Sequence, residues 1–163
     1  MTFFLKRHLP WVSSVAIGAL LVSVGIVFMV MGNNTRNEIT KQLRDEQVTT
    51  SADSSIPGVL VESEETARAQ ADAIKNHTLG TWGPYSQLPK DDPRRVQFID
   101  GVALRTALNM SVMGYEVTNL VIAGGAIILI AGLATMLLAS PALYMLAGVV
   151  VSRQTVNKDQ KHG

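Results

Sequence analysis

The side chains that could carry out catalysis are few in this chain of 163 residues. It has no cysteine, and its three histidines, His8, His77 and His162, lie far apart in the sequence. A zinc or iron site needs several histidine, cysteine or carboxylate ligands, and a serine nucleophile needs a base beside it. The sequence offers neither arrangement. We therefore expect no enzymatic activity, no cofactor and no metal site.

The densest group of charges lies in KDDPRRVQFIDG, residues 90–101. Asp92 followed by Pro93 is typical of a helix start, with aspartate as the N-cap and proline at the first helical position. Arg94 and Arg95 are not favoured at the positive end of a helix dipole. Either they pair with acidic residues of this chain, or they reach an acidic partner or a lipid phosphate.

Two long uncharged windows lie before and after these charges in the sequence, and the elements they form must position the charged side chains. The first, WVSSVAIGALLVSVGIVFMVM, covers residues 11–31. At about 1.5 Å per residue, a helix of this length spans the roughly 30 Å hydrocarbon core of a bilayer. A cleaved signal peptide is the alternative, but no small-residue cleavage site follows the window. We predict a retained transmembrane helix.

The second window covers residues 120–151 and is too long for one perpendicular span, yet too short for two spans and a turn. Pro141 removes a helix hydrogen bond and disfavours helical geometry at Ser140. We predict one span that starts near residue 119 and continues as a kinked extension past Pro141. A hairpin that turns at Ser140-Pro141 is the alternative.

The flanking charges predict the topology. The N-terminal tail carries Lys6 and Arg7, the C-terminal tail is also basic, and residues 32–118 carry nine Lys or Arg against twelve Asp or Glu. Positively charged flanks stay in the cytoplasm. We therefore predict a bacterial inner-membrane protein with five segments. These are a cytoplasmic tail (1–10), a first span (11–31), an extracytoplasmic domain (32–118), a second span (119–151) and a cytoplasmic tail (152–163).

The predicted extracytoplasmic domain is small and helical. Residues 63–80 form a helix pattern with Ser63 as its N-cap, whereas short β-prone runs flank the turn at Pro57-Gly58. A second helix starts at Asp92 and meets no proline before Pro141, so it continues into the second span. The predicted fold is a mostly α membrane protein with two transmembrane helices, a small α-rich domain inserted between them, and a second span continuous with a long outer helix.

Several residues are candidates for contact with a partner. Trp82 and Tyr85 lie in an aromatic loop that either rests at the membrane interface or packs over the domain's own core. Gly124, Ile128 and Gly132 recur at spacing four, and small residues of this kind let helices approach each other or a partner's helix. The full set of predicted contact residues is Arg94, Arg95, Arg105, Trp82, Tyr85, Gly124, Ile128 and Gly132.

Three stretches carry a resemblance to a known family: ITKQLRDEQVTTSADS, ARAQADAIKNHTLGTWGPYSQLPKDDPRR and ALRTALNMSVMGYEVTNLVIAGGAIILI. The chain resembles a family of small actinobacterial membrane proteins with two spans and one extracytoplasmic loop, often mislabelled as an aromatic-ring-opening dioxygenase, LigA-like. The matching positions are His77, Tyr85, Asp92, Pro93, Arg94, Arg95, Leu104, Arg105, Leu108 and Ser111. The chain departs from the pattern at Ala103 and at Gly114-Tyr115. The resemblance implies an architecture, and the dioxygenase label conflicts with the lack of iron ligands.

The features together predict a non-enzymatic accessory subunit of a larger inner-membrane complex, with an actinobacterial respiratory (cytochrome) supercomplex as the first candidate. An accessory subunit of a membrane transporter, an envelope sensor and an assembly factor are the alternatives. The expected partners are integral membrane subunits and lipids, with no nucleic acid and no small-molecule substrate. Arginines 94, 95 and 105 would pair with acidic groups of those subunits.

Overall fold

A computed structural model describes the backbone of residues 2–159 and the side chains of residues 8–150. The tail side chains that predict the topology, including Lys6, Arg7 and the basic residues after 152, lie outside the described residues. Four α-helices contain most of the described chain: α1 (Thr2–Asp45), α2 (Glu64–Lys75), α3 (Arg94–Ala134) and α4 (Ser140–Asp159). Turns of π-helix occupy Asn76–Gly80 and Thr135–Ala139, and a 3-10 turn occupies Tyr85–Gln87. No strand occurs in residues 2–159, so the predicted mostly α class is confirmed.

Two helical stretches are long and apolar enough to cross a membrane. They lie within His8–Asp45 and Arg94–Val150, each with a mean hydropathy of 2.5 in its most apolar window. Only 17% and 11% of the residues in those windows are buried. A core helix of a soluble protein would be mostly buried, so this exposure suggests membrane association.

The chain divides into two compact units. The inserted unit is Gly32–Leu120, and the paired-helix unit combines Met1–Met31 with Val121–Gly163. Each unit has its own packing.

The core of the inserted unit forms where α2 packs beside α3. Ser63 caps α2, because its hydroxyl accepts a hydrogen bond from the Thr66 backbone and the Thr66 side chain binds the Ser63 backbone in return. This capping confirms the predicted start of the helix. The buried residues of the core are Val61, Ala67, Ala71, Ile74, Leu108 and Val112. The alanine face of α2 is shallow, and α3 adds the larger side chains of Leu108 and Val112.

A short paired segment closes the other side of this core. Thr49 and Leu60 form an isolated antiparallel bridge, and the Val61 backbone N–H donates to the Val48 carbonyl at 2.8 Å. Gly58 has a φ of 67°, which a glycine adopts without strain, so the chain can reverse between the two runs. The β-prone runs predicted around Pro57-Gly58 therefore pair, although no regular strand results.

The helix α3 begins where the sequence predicts. The Asp92 side chain accepts a hydrogen bond from the Arg94 backbone N–H at 2.9 Å, as an N-cap does. From there α3 runs without a break to Ala134, well inside the second apolar window. One helix therefore connects the charged residues at its start with the apolar window, as predicted.

In the paired-helix unit, the chain stays helical through Pro141. The Ser140 backbone N–H donates to the carbonyl of Thr135, five residues earlier, and Ser140 keeps α-helical dihedral angles (φ −64°, ψ −48°). A widened π turn of this kind accommodates a proline. Proline has no backbone N–H to donate, and in a regular α-helix its ring clashes with the carbonyl four residues earlier. The Ser140 hydroxyl also donates to the Ser14 hydroxyl of α1 at 3.2 Å. The structure thus supports the continuous helix over the hairpin.

Candidate partner-contact surface

Among the predicted contact residues, Arg94 is already paired within the chain. Its guanidinium forms a salt bridge and several hydrogen bonds with Asp92, two residues earlier. These hydrogen bonds hold the pKa of Asp92 below its usual value, and the same contact raises the pKa of Arg94. The pairing corresponds to the first alternative for Arg94, an internal ion pair at the start of α3.

Arg95 belongs to an aromatic cluster. Its guanidinium lies 4.0 Å from the centre of the Tyr85 ring and donates to the Leu88 carbonyl at 2.8 Å. The rings of Trp82 and Tyr85 lie 6.4 Å and 5.5 Å from the ring of Phe98, which is buried. The cluster therefore covers the inserted unit's own core, which was the second alternative for Trp82 and Tyr85.

Arg105 differs from the other two arginines. Its Nη1 atom is buried, yet it has no hydrogen-bond partner. Arg105 also lines a groove of about 280 Å³ between α2 and α3, together with Asp72, Lys75 and Asn109. A buried guanidinium N–H without an acceptor is costly, so this groove is poised to accept an anionic oxygen beside Arg105 and Lys75.

The glycines of the paired-helix unit hold α1 and α3 close together. A Cβ atom on Gly25 would lie 2.7 Å from the Gly125 carbonyl oxygen, and one on Gly132 would lie 2.8 Å from the Gly18 carbonyl oxygen. Real Cβ atoms do not come so close to backbone, so only glycine permits this approach. Gly132 therefore contacts a helix of its own chain.

Gly124 and Ile128 occupy a different position on α3. A Cβ atom on Gly124 would meet nothing within 4 Å, and Ile128 is half-buried. The three residues with spacing four, Gly124, Ile128 and Gly132, therefore lie in different packing environments. The glycines that face α1 recur at spacing seven, as Gly125 and Gly132, opposite Gly18 and Gly25. This spacing is visible in the sequence.

Three positions carried over from the resemblance line a second groove in the inserted unit. Leu104, Leu108 and Ser111 of α3 contribute to a mainly apolar depression of about 370 Å³. The end of α1 and the segment after it complete the lining, through Leu43 and Val48 among others. This groove and the Arg105 groove lie on different sides of α3.

His77 and Asp53, which sequence reasoning did not connect, form an exposed hydrogen-bonded pair. The Nε2 atom of His77 binds a carboxylate oxygen of Asp53, 24 residues earlier, from the π turn after α2. The pKa of Asp53 is lowered from its usual value, chiefly by this hydrogen bond. No group of three or more potential metal ligands occurs among the described residues, so the pair has no third ligand nearby.

The Asp53–His77 pair predicts a specific pH dependence. Because the pKa of Asp53 is lower in the folded state, the stabilisation is present above the ordinary value of 3.8 and is lost as the pH falls through the folded pKa. In a Trp11→Phe background, which leaves Trp82 as the one tryptophan of the chain, the urea midpoint followed by fluorescence should therefore fall more steeply between about pH 5 and pH 3 with His77 present than in His77→Ala. Parallel curves for the two proteins would contradict the prediction, and Asp53→Asn, which cannot titrate, is the matched control.

Comparison with models of known protein families, with curated proteins and with solved structures found no match.

Proposed function

We propose that this protein is a non-enzymatic accessory subunit of a larger bacterial inner-membrane complex, and that an actinobacterial respiratory (cytochrome) supercomplex is the first assembly to test. In this proposal both termini are cytoplasmic and residues 32–118 are extracytoplasmic. The two apolar helices anchor the chain among the lipids and the membrane-spanning subunits of that complex. The inserted unit contacts their extracytoplasmic parts.

The observation that carries this proposal is the unsatisfied guanidinium of Arg105. Arg94 is occupied by Asp92, and Arg95 is occupied by Tyr85 and the Leu88 carbonyl. Arg105 alone among the three keeps a buried N–H without an acceptor. A carboxylate of a partner subunit would satisfy it, since charge-assisted hydrogen bonds to arginine are the stronger kind.

The residues around Arg105 also favour contact with a carboxylate of a partner. Lys75 adds a second cation to the groove, and Asn109 adds an amide donor. Asp72 also lines the groove, so one acidic group from outside would leave the groove close to neutral. A groove of this composition is suited to one acidic side chain of a protein partner.

The experiment is affinity purification of the full chain from its native membranes in a mild detergent, followed by mass spectrometry. We expect larger membrane subunits to co-purify in stoichiometric amounts with the wild type. Arg105→Gln should reduce their recovery, because a neutral amide cannot replace the ionic contact. Arg94→Gln is the matched control and should leave recovery unchanged, since Arg94 pairs within the chain.

Two results would count against this function. One is a wild-type protein that purifies alone, or only with copies of itself, under conditions that keep known membrane complexes intact. The other is an equal loss of partners in both arginine variants, which would show that Arg105 has no specific role in binding the partner.

A further inference from the structure

Arg36, a short distance beyond the first apolar window, carries a positive charge that the chain leaves uncompensated. No acidic side chain within residues 8–150 forms a salt bridge with it. Its Nη1 atom donates to the side-chain oxygen of Asn119 at 3.1 Å, and its guanidinium lies 5.8 Å from the centre of the Tyr115 ring. Both partners are neutral, so they position the exposed guanidinium, whose other N–H groups are open to a ligand.

The acidic residues that flank this contact in the sequence bind other side chains. Glu38, two residues later on α1, accepts a hydrogen bond from Gln42 at 3.2 Å. Glu116 on α3 pairs with Arg68 at 2.7 Å. The positive charge of Arg36 is therefore available to an anion from outside the chain.

The place of Arg36 along α1 puts its guanidinium at the level of lipid headgroups. The first apolar window has just the length of the hydrocarbon core, so the core ends near Met31. Arg36 lies about 7.5 Å further along the helix, and its side chain leans toward the N-terminus of α1, which is the side of the core. The headgroup layer is about 5–8 Å thick on each side of the core. Asn119 directly precedes the second window, which agrees with this level.

Two asparagine side chains add hydrogen-bond donors beside the guanidinium. Because arginine has no acceptor, the oxygen of Asn119 must be the atom that faces Arg36, and the NH2 group of Asn119 is left as a donor next to it. Asn33 lies three residues before Arg36, so its exposed amide projects from the same face of α1. A guanidinium and two amides therefore offer donors at one level, with no carboxylate in contact with the guanidinium.

We propose that Arg36, Asn33 and Asn119 bind the phosphate of an anionic phospholipid in the leaflet next to the inserted unit. Arginine binds phosphate through two parallel N–H groups, and the two amides can donate to the remaining oxygens. Phosphatidylglycerol fits the site because its headgroup carries no cation, whereas the choline of phosphatidylcholine would be repelled by Arg36. The site goes beyond the accessory-subunit proposal and requires only that the apolar windows span a bilayer.

Native mass spectrometry of the full chain, released from a mild detergent that contains equal amounts of phosphatidylglycerol and phosphatidylcholine, tests the site. We expect the wild type to retain about fivefold more phosphatidylglycerol, the effect of one cation near a lipid surface, and Arg36→Gln to lose this preference. Asn119→Asp should lose it too, because a carboxylate of the same size would pair with Arg36 and neutralise it. This second variant keeps the contact between α1 and α3, so its loss of lipid cannot be attributed to unfolding.

Arg44→Gln is the matched control and should keep the preference. Arg44 lies on the same helix, about 12 Å further from the core, and already pairs with Glu62 at 2.8 Å. A wild type without the preference, an equal preference in Arg36→Gln and Arg44→Gln, or a preference retained in Asn119→Asp overturns the site.

A last arm separates a lipid from a soluble anion. Inorganic phosphate should displace phosphatidylglycerol no better than chloride at the same ionic strength, because the acyl chains hold the lipid beside the helices. Specific displacement by inorganic phosphate would identify a soluble anion as the ligand and overturn the lipid site. These negative results leave the accessory-subunit proposal standing, whereas a wild type that purifies without other subunits and keeps its lipid preference has the opposite consequence.

Discussion

Replacing Gly125 with alanine is expected to destabilise the paired-helix unit by about 1–3 kcal/mol, the usual cost of forcing extra atoms into a filled contact. The added Cβ atom would lie 2.8 Å from the Gly25 carbonyl oxygen and 3.0 Å from side-chain atoms of Phe28 and Met29. The carbonyl belongs to the backbone of α1, which cannot turn aside as a flexible side chain can. The two helices would therefore have to separate.

The adjacent glycine provides the control. Gly124→Ala adds the same methyl group one residue earlier in the same helix, where nothing lies within 4 Å. Alanine is the better helix former by about 1 kcal/mol, so this variant should be neutral or slightly more stable. If the alanine effect came from helix propensity alone, both variants would shift in the same direction.

The measurement is the thermal unfolding of the full chain in a mild detergent, followed by helical circular dichroism. We expect a lower midpoint for Gly125→Ala and an unchanged or higher midpoint for Gly124→Ala. Gly25→Ala, on the other side of the contact, should behave like Gly125→Ala, because its Cβ atom would lie 2.7 Å from the Gly125 carbonyl oxygen, which belongs to the backbone of α3. Equal midpoints for Gly124→Ala and Gly125→Ala would contradict the packing described here.

Features of the fold that depend on local pattern could be predicted from the sequence. The two apolar windows, the Ser63 cap of α2 and the start of α3 at Asp92 each depend on neighbouring residues. The continuity of α3 followed from the absence of proline before Pro141. Hydrophobic periodicity and capping act over one or two turns, so a single sequence contains the necessary information.

Contacts between residues far apart in the chain could not be predicted in the same way. The Asp53–His77 pair and the Gly25–Gly125 contact join residues that no local pattern relates. The arginines show the same limit, since the sequence grouped Arg94, Arg95 and Arg105 by charge alone. Their partners, which depend on how α2, α3 and the loop between them pack, separate Arg105 from the others.

Tyr115 is a second residue whose role depends on long-range packing, and its replacement should have the largest effect in the inserted unit. It is 1% exposed, and its hydroxyl lies 2.7 Å from the Thr40 hydroxyl and donates to the Glu62 carbonyl at 3.2 Å. It thus links α3 to α1 and to the segment before α2. The sequence places this tyrosine in a helix but gives no indication that its hydroxyl is buried.

Tyr115→Ala should lower the free energy of unfolding by about 3–5 kcal/mol, as expected when a large buried aromatic side chain is removed. Tyr115→Phe keeps the ring and removes only the hydroxyl, so the cost should be about 1–3 kcal/mol, because the half-buried Thr40 hydroxyl and Glu62 carbonyl lose a partner. Urea unfolding of the full chain in detergent, followed by Trp82 fluorescence in a Trp11→Phe background, measures both. Tyr85→Phe, at a half-buried tyrosine, is the control and should change stability by less than about 0.5 kcal/mol.

A double-mutant cycle with Thr40→Val separates the hydroxyl contact from the rest of the effect. If Tyr115 and Thr40 are hydrogen-bonded to each other, the double variant should cost less than the sum of the two single variants, by at least about 0.5 kcal/mol. The Glu62 carbonyl, which loses its donor in both backgrounds that lack the Tyr115 hydroxyl, cancels in this difference. Additive effects would show that the two hydroxyls do not interact, and that Tyr115 stabilises the unit only through its ring and the carbonyl of Glu62.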